Sequence, residues 1–190
     1  MVIALEAYLI ILLALGAERI VELFIARRNA ERAIAAGAIE VGQRHYRAMV
    51  IFHTAFLIAC GVERLMRGHG AAPAIALIAV TAEILAQALR YWVIATLGPR
   101  WNTRIIVLPG AQPVTRGPYR FARHPNYVAV AIEMLAVPMI GGAWITAIVF
   151  SIGNAILMLV RIPAEERALG NSYAGAFGSL PRFIPRLRHG

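Results

Sequence analysis

Long apolar stretches alternate with short polar ones along the chain. Val2 to Ile25, Ala48 to Met66 and Ala72 to Leu97 each come close to or exceed the roughly 20 residues that cross a hydrocarbon core as a helix. Tyr127 to Ile140 is shorter and is broken by Pro138 and Gly141-Gly142. Ala143 to Val160 follows at once, so the last two segments predict a tight helical hairpin, the first helix starting inside the polar stretch Arg123 to Tyr127. The pattern predicts an all-α integral membrane protein with five transmembrane helices, folded as one domain over 1–190. Three N-terminal spans occupy 1–97, and a loop, the hairpin and a C-terminal cytoplasmic segment occupy 98–190. Glu31 to Ile39 reads as a short surface helix at the interface, and Pro109-Gly110 and Gly117-Pro118 read as turns.

Composition agrees with a bilayer as solvent. The chain is 59% hydrophobic and 15% charged over 190 residues, well above the 45–50% apolar content usual for soluble domains. All 19 cations are arginine. Arg27, Arg28, Arg32, Arg44 and Arg47 fall in the first loop. Arg100, Arg104, Arg116, Arg120 and Arg123 fall in the third, and Arg161, Arg167, Arg182, Arg186 and Arg188 follow the last span. The opposite loops keep only Arg64 and Arg67. This bias places the N-terminus outside and the C-terminus in the cytoplasm, as in a multi-pass protein of a bacterial inner membrane. No stacking aromatics interleave with the arginines, which argues against nucleic-acid binding. The single Cys60 excludes an internal disulfide and argues against a zinc cluster, so no metal site is expected. The first apolar run lacks a basic leader and reads as a span rather than a signal peptide.

Polar groups inside spans are costly and need a reason. Glu83, Gln87 and Arg90 share one face of the third span, as helix-joining ion pairs or as a pocket wall. Glu133, in the fourth span, needs a partner such as Arg90, and reads equally as structural pairing or as site lining. His53 reads as a hydrogen-bonded packing residue, and Ser151 and Asn154 as interhelical hydrogen-bonding groups. Two motifs converge at one membrane face. In Arg123-His124-Pro125-Asn126-Tyr127, Pro125 suits the first turn of a helix, whose free N–H groups stand beside an imidazole and a phenol. The plainer reading is an interface anchor. Arg161 and Glu165 lie four residues apart, as a simple salt bridge or as an anion-holding arginine beside a carboxylate.

Together with Gln112-Pro113-Val114-Thr115-x-Gly117-Pro118-Tyr119, and with Arg161 falling 37 positions after His124, these motifs resemble the isoprenylcysteine carboxyl methyltransferase family over the C-terminal half. The resemblance implies an integral membrane enzyme that uses S-adenosyl-L-methionine and takes a lipophilic acceptor, or a lipidated one, from the bilayer. Position by position, it implies cofactor contacts at Arg104, Gln112, Pro113, Val114, Tyr119, His124, Pro125, Asn126, Tyr127 and Glu165. It puts an acceptor-side arginine at Arg161, which with Glu165 would form the catalytic pair, and Glu133 stands as a second candidate on the acceptor side. The short chain, Trp101 and Pro109-Gly110 resemble a bacterial branch associated with type III polyketide synthases, whose expected acceptors are alkylpyrone or alkylresorcinol hydroxyls. Competing readings are an NADPH-dependent membrane reductase of the sterol reductase type, a phospholipid N-methyltransferase, and a non-catalytic scaffold or small transporter.

Overall fold

The computed structural model describes residues 3–183. Val2, at the start of the first predicted span, and Arg186 and Arg188 lie outside the described residues, as does the side chain of Arg44. The helices are α1 (Leu5–Ala35), α2 (Gln43–Arg67), α3 (Pro73–Leu97), α4 (Pro125–Gly141) and α5 (Trp144–Phe177). Each predicted apolar segment falls in one of them. By length and apolarity α2, α3 and α5 can each cross a membrane, and α4 is a shorter apolar helix. Side chains such as Ile10, Ile51, Leu77, Ile145 and Leu159 face outward, as lipid-facing residues do.

Two predicted details are corrected. Glu31 to Ile39 is no separate surface helix, because its first residues are the last turns of α1. Between Ile25 and Ala36 the chain has no glycine or proline to stop the helix, and the break waits for Gly37 at φ 92°, a left-handed value that favours glycine. The sequence reading also missed a small sheet. Strand β1 (Ile39–Val41) pairs antiparallel with β2 (Ile105–Val107), Glu40 standing opposite Ile106. It joins the polar loops at one end of the helices.

The helices alternate in direction. At one end the Tyr8 hydroxyl donates to Val137 O (3.2 Å), and Glu63 accepts from Ile145 N (3.1 Å) and Thr146 N (2.7 Å) at the start of α5. At the other end Asn29 Nδ2 donates to Trp101 O (2.8 Å) and Asn102 Nδ2 donates to Ala26 O (2.9 Å). The α4–α5 link turns through Gly142 at φ 74°, where a Cβ would lie 2.8 Å from Ala71 N. Tyr8, Phe56, Cys60, Met134, Val137 and Ile140 form the apolar core.

A buried ion network ties α1, α3 and α4 together. Arg90 donates through Nη2 to Glu133 Oε2 and lies 3.7 Å from Glu22. Arg19 pairs with Glu22 at 2.7 Å and with Glu18 at 3.1 Å, and lies 3.7 Å from Glu133. Glu133→Leu, which leaves Arg90 buried without its partner, is expected to cost about 3–5 kcal/mol. The double variant Arg90→Met/Glu133→Leu is expected to lose less than the single one, measured by thermal unfolding in detergent. Gly142→Ala is expected to lose about 1–3 kcal/mol from backbone strain and overlap. Gly175→Ala, with open space at its Cβ, should lose nothing in the same assay.

Candidate functional site

The site begins at the N-terminus of α4. His124 precedes the helix with φ −127° and Pro125 occupies its first position, as the missing N–H of proline allows. The Tyr127 side chain thereby points across toward α5. Arg161 Nε donates to the Tyr127 hydroxyl (2.8 Å), and that hydroxyl donates to Glu165 Oε2 (2.6 Å). Arg161 and Glu165 therefore meet through a phenol rather than as a direct salt bridge. Arg161 Nη2 is fixed a second time by Thr103 O at 2.5 Å.

The adjacent carboxylate turns the other way. Glu166 Oε1 lies 3.0 Å from His124 Nε2, and its two oxygens accept from Arg182 at 3.2 and 2.7 Å. Arg182 reaches it because α5 departs from helical geometry at Gly170 (φ 71°, ψ −161°) and the chain after Phe177 returns over the motif. His124 N donates to Arg182 O, and Arg123 N to Pro181 O, each at 3.0 Å. Arg123 Nε donates to Leu180 O at 2.6 Å. Arg123 thereby brackets the returning segment against His124.

Arg104, Tyr119, His124, Asn126, Tyr127, Arg161 and Glu165 line one end of a cavity of about 1490 Å³. Arg104 pairs with Glu40 of β1 at 3.3 Å and stacks over Tyr46. Asn126 Oδ1 is buried with no hydrogen-bond partner. Burial first, and then the Glu165 charge, push the Tyr119 phenol well above its ordinary value, so it stays protonated and can donate. From this polar end the cavity runs between α1, α2 and α5 past Leu9, Leu13, Leu57, Ile58, Val62 and Leu157.

Not every expected residue is there. Gln112, Pro113 and Val114 do not line the cavity. Gln112 is exposed on the loop beyond the turn at Gly110, and its carbonyl accepts from Arg100 Nη1 at 2.7 Å. Pro125 is buried behind the cavity wall, and Glu133 is occupied with Arg90. Ser151 Oγ finds no partner, and Asn154 reaches only Met158 Sδ at 3.9 Å, so neither bonds across helices. Sequence reasoning missed Tyr46, Asn102 and Thr103, which also line the cavity. Thr103 acts through its backbone carbonyl, which no side-chain pattern signals.

The profile of the isoprenylcysteine carboxyl methyltransferase family matches residues 77–171, a span that holds every motif described above. The chain is 39% identical over 153 residues to the uncharacterized protein YpbQ of Bacillus subtilis (strain 168), covering 80% of this chain and 90% of the relative. An uncharacterized protein of Haemophilus influenzae (strain ATCC 51907 / DSM 11121 / KW20 / Rd) is 30% identical over 156 residues, covering 82% and 90%. The chain belongs to the isoprenylcysteine carboxyl methyltransferase family. It is a membrane protein of a methyltransferase family whose members take their methyl group from S-adenosylmethionine.

Tyr127→Phe removes the hydroxyl shared by Arg161 and Glu165. It is expected to cost about 1.5–3 kcal/mol, the usual range for hydrogen bonds to charged groups. Tyr119→Phe, whose hydroxyl has no protein partner among the described residues, should cost less in the same unfolding assay.

Proposed function

We propose that this protein transfers a methyl group from S-adenosyl-L-methionine to an oxygen of a lipophilic acceptor, a carboxylate or an acidic enol or phenol. The observation that carries the reading is the joint between the two ends of one cavity. The Arg161–Tyr127–Glu165 bridge stands where a polar end meets an apolar channel. The polar end fits the donor by its chemistry. It offers a carboxylate for a cation or for hydroxyls, the imidazole of His124, the phenol of Tyr119, and the unpartnered Asn126 oxygen for an amino or hydroxyl group. His124, Asn126, Tyr127, Tyr119, Arg104 and Glu165 would hold it. Gln112, Pro113, Val114 and Pro125 are not part of the set this cavity supports. When bound, S-adenosylmethionine supplies an electrophilic methyl on a cationic sulfur, and the acceptor oxygen takes that methyl in line while the bonding pair stays with sulfur.

The chain's own residues do the rest. Arg161 has its Nε and one Nη engaged, so its remaining N–H groups can hold the acceptor oxygen and favour its ionised form. Holding both reactants in line supplies much of the acceleration of such a displacement. The apolar channel keeps water from the anion and strengthens its contact with Arg161. A carboxylate or acidic enol arrives ionised and needs no base; for a phenol, Glu165 is the carboxylate at hand. The bacterial relatives leave the acceptor open, and alkylpyrone or alkylresorcinol hydroxyls are one class that fits an apolar channel with a polar head. We further propose that all five helices span the bilayer with the N-terminus outside, because the arginine-rich loops gather at the end of the bundle that carries the site.

Purified protein is expected to bind S-adenosylhomocysteine by calorimetric titration, with His124→Ala and Glu165→Ala each weakening it roughly tenfold or more, the loss of one charge-assisted contact. Arg161→Ala should lower turnover on a lipid extract far more than it lowers S-adenosylhomocysteine affinity. Binding of NADPH in place of S-adenosylhomocysteine would reverse the assignment in favour of a reductase.

A further inference from the structure

One peptide unit joins the bridge to the loop before β2. Arg161 Nη2 donates to Thr103 O at 2.5 Å. The N–H on the far edge of the same unit belongs to Arg104, and it donates to Asn102 Oδ1 at 2.9 Å. The peptide units of the described chain are all trans, and a trans unit is planar, with its C=O and N–H pointing in opposite directions. Holding the N–H therefore aims the C=O. Asn102 and Arg161 grip opposite edges of one rigid plate.

Trp101 to Arg104 has no regular secondary structure, so no helical or sheet hydrogen bonds set the direction of this carbonyl. An asparagine that bonds the backbone two residues on closes an Asx turn, and here that turn straddles Thr103. The other end of the same amide ties the turn down. Asn102 Nδ2 donates at 2.9 Å to the carbonyl of Ala26, a buried residue of α1. Asn29 Nδ2 holds the preceding residue through Trp101 O at 2.8 Å. Beyond the turn, Arg104 pairs with Glu40 at 3.3 Å, and Ile105 enters the sheet opposite Val41. The segment is thus fixed at both ends, and Asn102 is the side chain that grips the unit Arg161 uses.

We infer that Asn102 is a positioning residue for the methyl transfer: through the Thr103–Arg104 peptide it sets where the Arg161 guanidinium stands. The inference rests on the proposed function, in which the remaining N–H groups of Arg161 hold the acceptor oxygen. Asn102 acts on the acceptor through Arg161 and has no part in holding the methyl donor. With the turn lost, the Tyr127 hydroxyl still accepts from Nε at 2.8 Å, so the guanidinium swings about that bond rather than leaving the site. A misplacement of about 1 Å can cost about a hundredfold in rate, so the loss is felt in turnover although Arg161 itself is intact.

The first arm of the test gives the full-length protein in membranes a labelled methyl donor and a bacterial lipid extract. Asn102→Ala is expected to lower turnover roughly tenfold or more, with S-adenosylhomocysteine affinity unchanged. Asn102→Ser, whose hydroxyl closes a similar but weaker turn, is expected to recover part of that loss. In an Arg161→Ala background, Asn102→Ala should lower turnover no further. An equal loss of turnover and S-adenosylhomocysteine affinity would move Asn102 into the donor site and overturn the inference. Full turnover in Asn102→Ala, or a multiplied loss in the double variant, would overturn it too. The second arm needs no turnover. Unfolding temperatures in detergent are compared for Asn102→Ala, Arg161→Ala and the double variant. The double variant is expected to lose clearly less than the two single losses together, because residues in one hydrogen-bonded network are not additive. A loss equal to their sum sinks the brace, whatever the reaction. If the coupling is present but the wild-type protein labels no lipid and binds no S-adenosylhomocysteine, the transfer reading falls, and with it the part of Asn102 in that reaction, while the brace stands.

Discussion

Charge inside hydrocarbon must be paired before it can be buried, and the Arg90–Glu133 pair is where this chain meets that demand. It fixes which helices can be neighbours. Arg90 is on α3, Glu133 on α4, and Arg19 and Glu22 on α1, so these three helices must meet at one depth. Helix α2 contributes no charged partner to that network, and the long middle of α5 carries no charge at all until Arg161. The cavity runs between these two helices and α1, although α1 and α2 pack directly where Tyr8 and Leu12 meet Phe56 and Cys60. The same network that organises the bundle places Arg19, Glu22 and Arg90 in the wall of that cavity.

The site repeats this logic at smaller scale. Glu165 and Glu166 are one residue apart, about 100° around a helix, so they cannot share a target. Glu165 turns to the Tyr127 hydroxyl inside the cavity, and Glu166 turns to His124 and Arg182. One carboxylate is left available to a ligand, and its neighbour is consumed in fixing the imidazole and the returning chain. Tyr127 is needed between Arg161 and Glu165 because a direct ion pair would use up both charges. With the phenol inserted, the guanidinium and the carboxylate stay close while each keeps a free edge.

Much of this was legible in the sequence because it follows from local rules. Gly98-Pro99 ends α3 at Leu97, and Pro125 starts α4 where the polar motif predicts. The Arg90–Glu133 pairing followed from the scarcity of alternatives for a buried carboxylate. The losses were non-local. Helix α1 runs past its predicted end because Ala, Arg and Glu favour helix and nothing intervenes before Gly37. Strands of three residues leave too short an alternation to detect, and β1 exists only because β2 is beside it. The strap at Leu180 to Arg182 is held by backbone groups, which every residue has and no motif marks. Gln112 to Val114 matched the family pattern in sequence, but the turn at Gly110 carries them away from the cavity. A motif fixes order along the chain and leaves open which side of a loop faces the ligand.

Under the proposed methyl transfer, the placement of the bridge would let one small bundle bring together reactants that do not share a solvent. A sulfonium nucleotide is polar and cannot enter hydrocarbon, while a lipid tail gains roughly 25 cal/mol for each Å² it keeps out of water. The two can meet only at a plane where a polar end and an apolar channel are continuous. The chain makes that plane by ending α3 with Gly98-Pro99, starting α4 at Pro125 and letting α5 continue past it to carry Arg161 and Glu165. Because α5 crosses the plane rather than stopping there, its apolar half lines the apolar channel and its polar half holds the bridge. A shift of α5 along its axis would move both together, and the contacts of Arg161 with Thr103 O and the Tyr127 hydroxyl oppose such a shift.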